Sequence, residues 1–255
     1  AGPIFQIASL PVVLELAIEA TDMGLLVAWR QAGDPPSAFV MNTEIGERTA
    51  LAGGYVNQGP RLWPGPPGVV VAGFCATFGA ESRAATMHVD HAAREVRPIE
   101  RRPPTDRSCG AVPPDGVFTG RRHLFGWTDN SSGPVEHHEI LIETAGPTGD
   151  SIDWVQLYDE GDLGAPPRWS RNGDNILMVT GLFEPSLAIH RYHALGDQLS
   201  STRLPTRYTN HEITPLGTGW LMAMRGLEGG FTLRVDRSGR PGRPRPIPDT
   251  NAGFS

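Results

Sequence analysis

The sequence contains no lysine: all 22 of its basic residues are arginine. A Schiff-base lysine, a Walker lysine and a Ser-Lys dyad are therefore excluded. Cysteine is scarce, with Cys75 and Cys109 alone, and their separation is not the CxxC spacing of redox and zinc-ribbon sites. Excess positive charge is missing as well. The formal net charge is -6, whereas a nucleic-acid binder needs a basic surface to displace counterions, so no nucleic-acid partner is expected. No apolar run approaches the ~20 residues that cross a bilayer, and a membrane-spanning helix is not expected either. What the chain has in quantity is Gly (31) and Pro (24), a composition that suits short strands and many turns better than long helices.

Five segments share one plan. Each opens with an apolar run: Gly24 to Trp29, Gly68 to Cys75, His123 to Trp127, Asn175 to Val179 and Gly219 to Met224. A polar loop follows, then an alternating strand with a polar or acidic end: Ala38 to Asn42, Thr86 to Asp90, Glu139 to Glu143, Ile189 to His193 and Thr232 to Asp236. Shortly afterwards stands Gly46, Gly146, Gly196 or Gly239, with Arg94 as the exception. Glycine there supplies the positive φ of a tight turn, so each unit contains a hairpin. An inner strand precedes each apolar run. In the first unit Leu14, Leu16 and Ile18 alternate with Glu15, Ala17 and Glu19, the period of two that marks a strand; a helix from Leu10 to Ala20 is the alternative. A fourth short strand follows each turn, at Arg48 to Ala52, Val96 to Arg101, Ser151 to Leu157, Ser200 to Leu204 and Arg245 to Pro248.

Four antiparallel strands recurring about every 44 to 55 residues are the signature of β-propeller blades. A lone blade cannot bury both faces, so neighbours stack around an axis and make one domain. The expected class is all-β, a propeller of five blades at about 11–54, 55–103, 104–158, 159–206 and 207–255. The alternative is six blades, with Ile4 to Ile7 and the tail from Asp249 to Ser255 as pieces of a sixth that another chain completes.

The repeat text, clearest in Val235-Asp236-Arg237-Ser238-Gly239, resembles degenerate propeller repeats of secreted and cell-surface bacterial proteins. The likeness is loose and runs over most of 14–248. It implies a propeller scaffold outside the cytoplasm, secreted, periplasmic or at the cell surface, and no chemistry, since propellers host binding and catalysis alike.

Motifs of chemistry are few. No G-x-S-x-G elbow, H-E-x-x-H helix, G-x-G-x-x-G fingerprint or EF-hand loop occurs; no cofactor and no metal site are expected. The pairs His88 with His91 and His190 with His193 sit three apart on strands, where side chains point to opposite faces and chelate poorly. They and His137 with His138 are expected to be surface or hairpin-end histidines. Asp159, Glu160 and Asp162 form a short acidic loop without full Ca²⁺ ligand spacing. Topology points to another surface. The loops between second and third strands gather at one end of the ring and carry Asp34, Glu81, Asp129, Glu184 and Glu228, with Trp127 and Phe183 nearby, a rim suited to a sugar or protein segment. Cys75 and Cys109 fall at that same end, so a disulfide between them is expected. Trp29, Trp63, Trp127, Trp169 and Trp220 are expected to pack between blades, and the arginine-rich Arg237 to Arg245 to lead into a proline-blocked edge strand.

The functional expectation is a non-catalytic extracytoplasmic binding or assembly module whose partner is a protein or a carbohydrate, alone or as a subunit of a larger complex. The rivals are a carbohydrate-active enzyme and a lectin. A glycoside hydrolase needs two carboxylates about 5 to 10 Å apart in one cleft, one of them with a raised pKa; Glu15, Glu19, Asp115 and Glu212 are its candidates.

Overall fold

In the computed structural model the described residues are 13–33, 37–51, 55–78, 81–98, 114–131, 137–147, 151–156, 165–182, 186–205, 208–226 and 229–248. They form five four-stranded antiparallel sheets in sequence order. Sheet one holds β1 (Val13–Thr21), β2 (Gly24–Gln31), β3 (Ser37–Asn42) and β4 (Arg48–Ala50). Sheet two holds β5 (Tyr55–Pro64), β6 (Val69–Phe78), β7 (Glu81–Asp90) and β8 (Val96–Pro98). Sheet three is β9 (Asp115–Phe118), β10 (His123–Ser131), β11 (His137–Ala145) and β12 (Ser151–Gln156). Sheet four is β13 (Ala165–Asn172), β14 (Asn175–Leu182), β15 (Ser186–His193) and β16 (Gln198–Pro205), and sheet five is β17 (Tyr208–Leu216), β18 (Gly219–Gly226), β19 (Gly229–Val235) and β20 (Arg245–Pro246). No helix is long and apolar enough to cross a membrane among the described residues.

The segment around Leu14 is a strand, not a helix. Glu15 reaches the Gly59 amide of sheet two at 2.7 Å, while Leu14, Leu16 and Ile18 are exposed on the opposite face. The second strand of sheet four, β14, reads as a continuous apolar run because neighbouring sheets cover both of its faces, whereas in β18 Ala223 and Arg225 are exposed. In β14 Leu177 and Val179 join Trp220, Met222 and Leu233 of sheet five, and Ile176 and Met178 join Val117 and Leu124 of sheet three. Leu26, Ala28 and Val40 likewise meet Val70, Ala72 and Phe74 between sheets one and two. Successive sheets thus share cores and stack face to face.

Trp29, Trp63, Trp169 and Trp220 are buried in these layers. Trp63 explains a glycine that interrupts an apolar strand. A Cβ on Gly73 would lie 2.7 Å from the Trp63 ring, so the indole occupies the space a side chain would fill.

The turns account for the polar residue at each strand end. Asp236 Oδ1 accepts hydrogen bonds from the Ser238 and Arg240 amides and the Ser238 hydroxyl, and these bonds hold its carboxyl below the usual range. Asp90 Oδ1 accepts from the Arg94 and Glu95 amides, and Asn42 Oδ1 from that of Glu44. Gly46, Gly196 and Gly239 have positive φ, as expected. In sheet two the corresponding residue is Ala93, at φ 58, one position before Arg94.

Two expectations need correction. Asp129, expected in a loop, stands within β10 opposite Glu139, because antiparallel pairing continues to Ser131 opposite His137; Trp127 is on the same strand opposite Leu141, where its place in the repeat puts it. His190 is not a surface histidine: it is 2 % exposed, and burial lowers its pKa to about 4. His88 also faces inward, its Nε2 lying 3.4 Å from that of His123 in sheet three.

Candidate functional site

The inner strands of all five sheets line one cavity of about 870 Å³. That volume lies within the range of small-molecule pockets, about 300 to 1,000 Å³. Lining groups come from β1 (Glu19), β5 (Arg61, Trp63), β9 (Asp115), β13 (Arg168) and β17 (Glu212). Arg61, Asp115, Arg168 and Glu212 each stand three or four residues before the end of their strand. Strands that start a hairpin at the same end of the ring therefore bring these four charges to one level.

Arg168 is the centre of the group. Only 8 % of it is exposed. Its Nη1 is 3.7 Å from Asp115 Oδ2 and its Nε 3.3 Å from Glu212 Oε1. Arg61 Nη1 lies 3.9 Å from the same Glu212 oxygen. The Asp115 side chain is 13 % exposed, that of Glu212 69 %. Asp115 Oδ1 also accepts the Gly116 amide at 2.9 Å. Burial pushes the Asp115 carboxyl up, while Arg168 and Arg61 pull the other way. Burial and then the neighbouring Arg168 lower the Arg61 guanidinium. A buried charge needs such compensation, because desolvation disfavours it.

Glu15 is spoken for elsewhere, since its Oε2 accepts from Arg30 Nε at 3.0 Å and from the Gly59 amide. Glu19 lies nearer the hairpin end of β1, and burial raises its pKa. Of the hydrolase candidates, the structure thus joins Asp115 and Glu212 on one guanidinium and turns Glu15 away.

The rim expected from the loops is only partly within view. Asp34, Glu184, Glu228 and Phe183 lie outside the described residues, as do Cys109, Asp159 to Asp162, Ile4 to Ile7 and Asp249 to Ser255. Glu81 opens β7 opposite Phe78. Cys75 is fully buried in β6. No group of three or more His, Cys, Asp or Glu that could hold a metal ion occurs among the described residues. Sequence reasoning missed Arg61 and Arg168. The available signal was positional: a charged residue at one place in successive inner strands.

No protein-family model matches the sequence, and no curated protein matches it. Solved structures do. TolB from Acinetobacter baumannii is similar with a TM-score of 0.52 and 16 % identity, over 90 % of this chain and 53 % of that one. This chain thus spans about half the length of TolB. An α-L-arabinofuranosidase from Clostridium thermocellum matches with a TM-score of 0.52 and 8 % identity, over 94 % and 95 % of the two chains. The subtype N10 neuraminidase-like protein of A/little yellow-shouldered bat/Guatemala matches with 0.57 and 10 %, over 96 % and 85 %. Identities this low speak for architecture alone, and the architecture they share with these sheets is the β-propeller.

Proposed function

We propose that this chain is a single-domain, non-catalytic β-propeller that holds a small polar ligand in its central cavity. The carrying observation is the position of Arg168 between Asp115 and Glu212. Acid and base roles need one carboxyl group free to give a proton and another free to take one. Here both face the same guanidinium, an arrangement that recognises polar groups and disfavours proton transfer. A place outside the cytoplasm belongs to this reading, and the buried Cys75, which is not a free thiol, fits it. A contact between the rim loops and a protein partner belongs to the same reading.

One observation favours turnover. Asp115 has a raised pKa and shares a cavity with the exposed Glu212, the division of roles a glycoside hydrolase uses. Calorimetric titration with neutral and acidic monosaccharides, run beside a release assay on nitrophenyl glycosides, separates the two. Saturable binding without nitrophenol release is expected. Release that Asp115→Asn abolishes would establish the enzyme instead.

A further inference from the structure

We propose that Arg61 and Arg168 form a clamp for the carboxylate of a small ligand, and that Glu212 is a tethered stand-in for that group. This rests on the cavity-binding reading above and names its ligand chemistry.

Arg168 presents donors that nothing in the fold fully uses. Its Nε and Nη1 are buried and have no hydrogen-bond partner. The nearest carboxylate oxygens are close enough for ion pairing, yet outside hydrogen-bond geometry. Buried donors are normally satisfied, and a guanidinium fork matches a carboxylate with two parallel bonds. Glu212 Oε1 lies within 4 Å of both guanidinium groups, at 3.3 and 3.9 Å, and so marks where such an oxygen sits. Its side chain is 69 % exposed, so little packing opposes its swinging out.

The charge balance after that movement is specific. Arg61 and Arg168 keep the buried Asp115 as counter-ion, two positive charges against one negative, and a monoanion completes neutrality. The remaining charged groups on the lining are Glu19 and Arg171, one acidic and one basic, whose formal charges cancel in this count; the Arg171 guanidinium is held by the Gly173 and Phe118 carbonyls. Glu15, behind the lining, acts on Arg61 as well but is paired with Arg30. The cavity has room for more than the carboxylate, so a sugar acid and an aliphatic diacid are both sources of the group.

The test is isothermal titration of the intact chain with glucuronate, glucose and succinate. Glucuronate is expected to bind at least about tenfold more tightly than glucose, a difference of about 1.4 kcal/mol. Succinate binding comparable to glucuronate places recognition in the carboxylate alone; much weaker succinate binding assigns the ligand to sugar acids. Arg61→Gln removes the preference for glucuronate over glucose. It is the variant of choice because Arg168 is buried and its replacement endangers folding. Glu212→Gln, which withdraws the internal competitor, strengthens glucuronate binding several-fold. Equal binding of glucose and glucuronate, or weaker glucuronate binding in Glu212→Gln, overturns the clamp and leaves the binding cavity standing. Absence of binding by all three solutes overturns both.

Discussion

Replacing Gly73 with alanine tests whether the sheets are fitted to one another as the structure shows. Gly73 lies within β6, opposite Arg61 and Thr86. An added Cβ would stand 2.7 Å from Trp63 Cη2, 2.8 Å from Cζ3 and 2.7 Å from the Pro114 carbonyl oxygen. Carbon contacts are comfortable at about 3.5 to 4.0 Å, so the indole or the backbone beside Asp115 must retreat by close to an ångström. In an unobstructed strand the same change stabilises by about 0.5 to 1 kcal/mol, because glycine loses more chain entropy on folding. Overpacking instead costs about 1 to 3 kcal/mol, so the two readings differ in sign. For a chain of this size that loss lowers Tm by about 2 to 12 °C. Thermal and urea unfolding measure it directly. Trp63→Ala alone costs about 3 to 5 kcal/mol through the void it leaves. In its background the alanine at 73 meets only the Pro114 oxygen, so its penalty falls by at least half, a coupling that a double-mutant cycle reads. A Gly73→Ala variant as stable as the parent, or one equally harmful with and without the indole, would refute the packing described.

Three further outcomes are expected. His123 and His190 are buried and uncharged, with pKa values lowered to about 4 from 6.5. The unfolded chain takes up protons first, so their contribution is whole above about pH 6.5 and is lost as pH falls towards 4. Tm should therefore drop between about pH 7 and 5, and less steeply in His190→Gln; a flat profile in the parent would count against the burial of these rings. Asp236→Ala removes three hydrogen bonds from the β19 turn and should cost about 0.5 to 2 kcal/mol, with Asn nearly neutral; a chemical-denaturation midpoint unchanged in the alanine variant would contradict that role. We propose that Cys75 is bonded to Cys109, closing a loop whose constraint contributes about 4 kcal/mol in the chain-entropy model. The unreduced, denatured chain should show no reactive thiol, and a count of two would dismiss the bond.

The hairpins were legible in the sequence because their determinants are local. Asp236 to Gly239 spells a turn by itself, and the alternation from Leu14 to Glu19 marks a strand without reference to anything distant. Ala93 escaped notice because its left-handed backbone is imposed where sequence pattern leads one to expect glycine. The cavity is a harder inference. Asp115 and Glu212 could be named as acids from the text, but Arg61 and Arg168 look like ordinary polar alternates beside Leu62 and Trp169. Their significance comes from the ring, which sets residues more than a hundred positions apart at one height. His190 misled for a related reason: its strand has a neighbour on each side, so the polar alternate is covered as well.

Arg61, Asp115, Arg168 and Glu212 are each supplied by a different sheet, and no shorter portion of the polypeptide owns the pocket they make. A solute gripped by Arg61 of sheet two and Arg168 of sheet four, with Asp115 of sheet three as their counter-ion, acts as a hub pin, tying together modules that otherwise touch only their immediate neighbours. Its binding energy would reinforce those sheets together by mass action, and loosening any one of them would be felt as weaker grip on the solute.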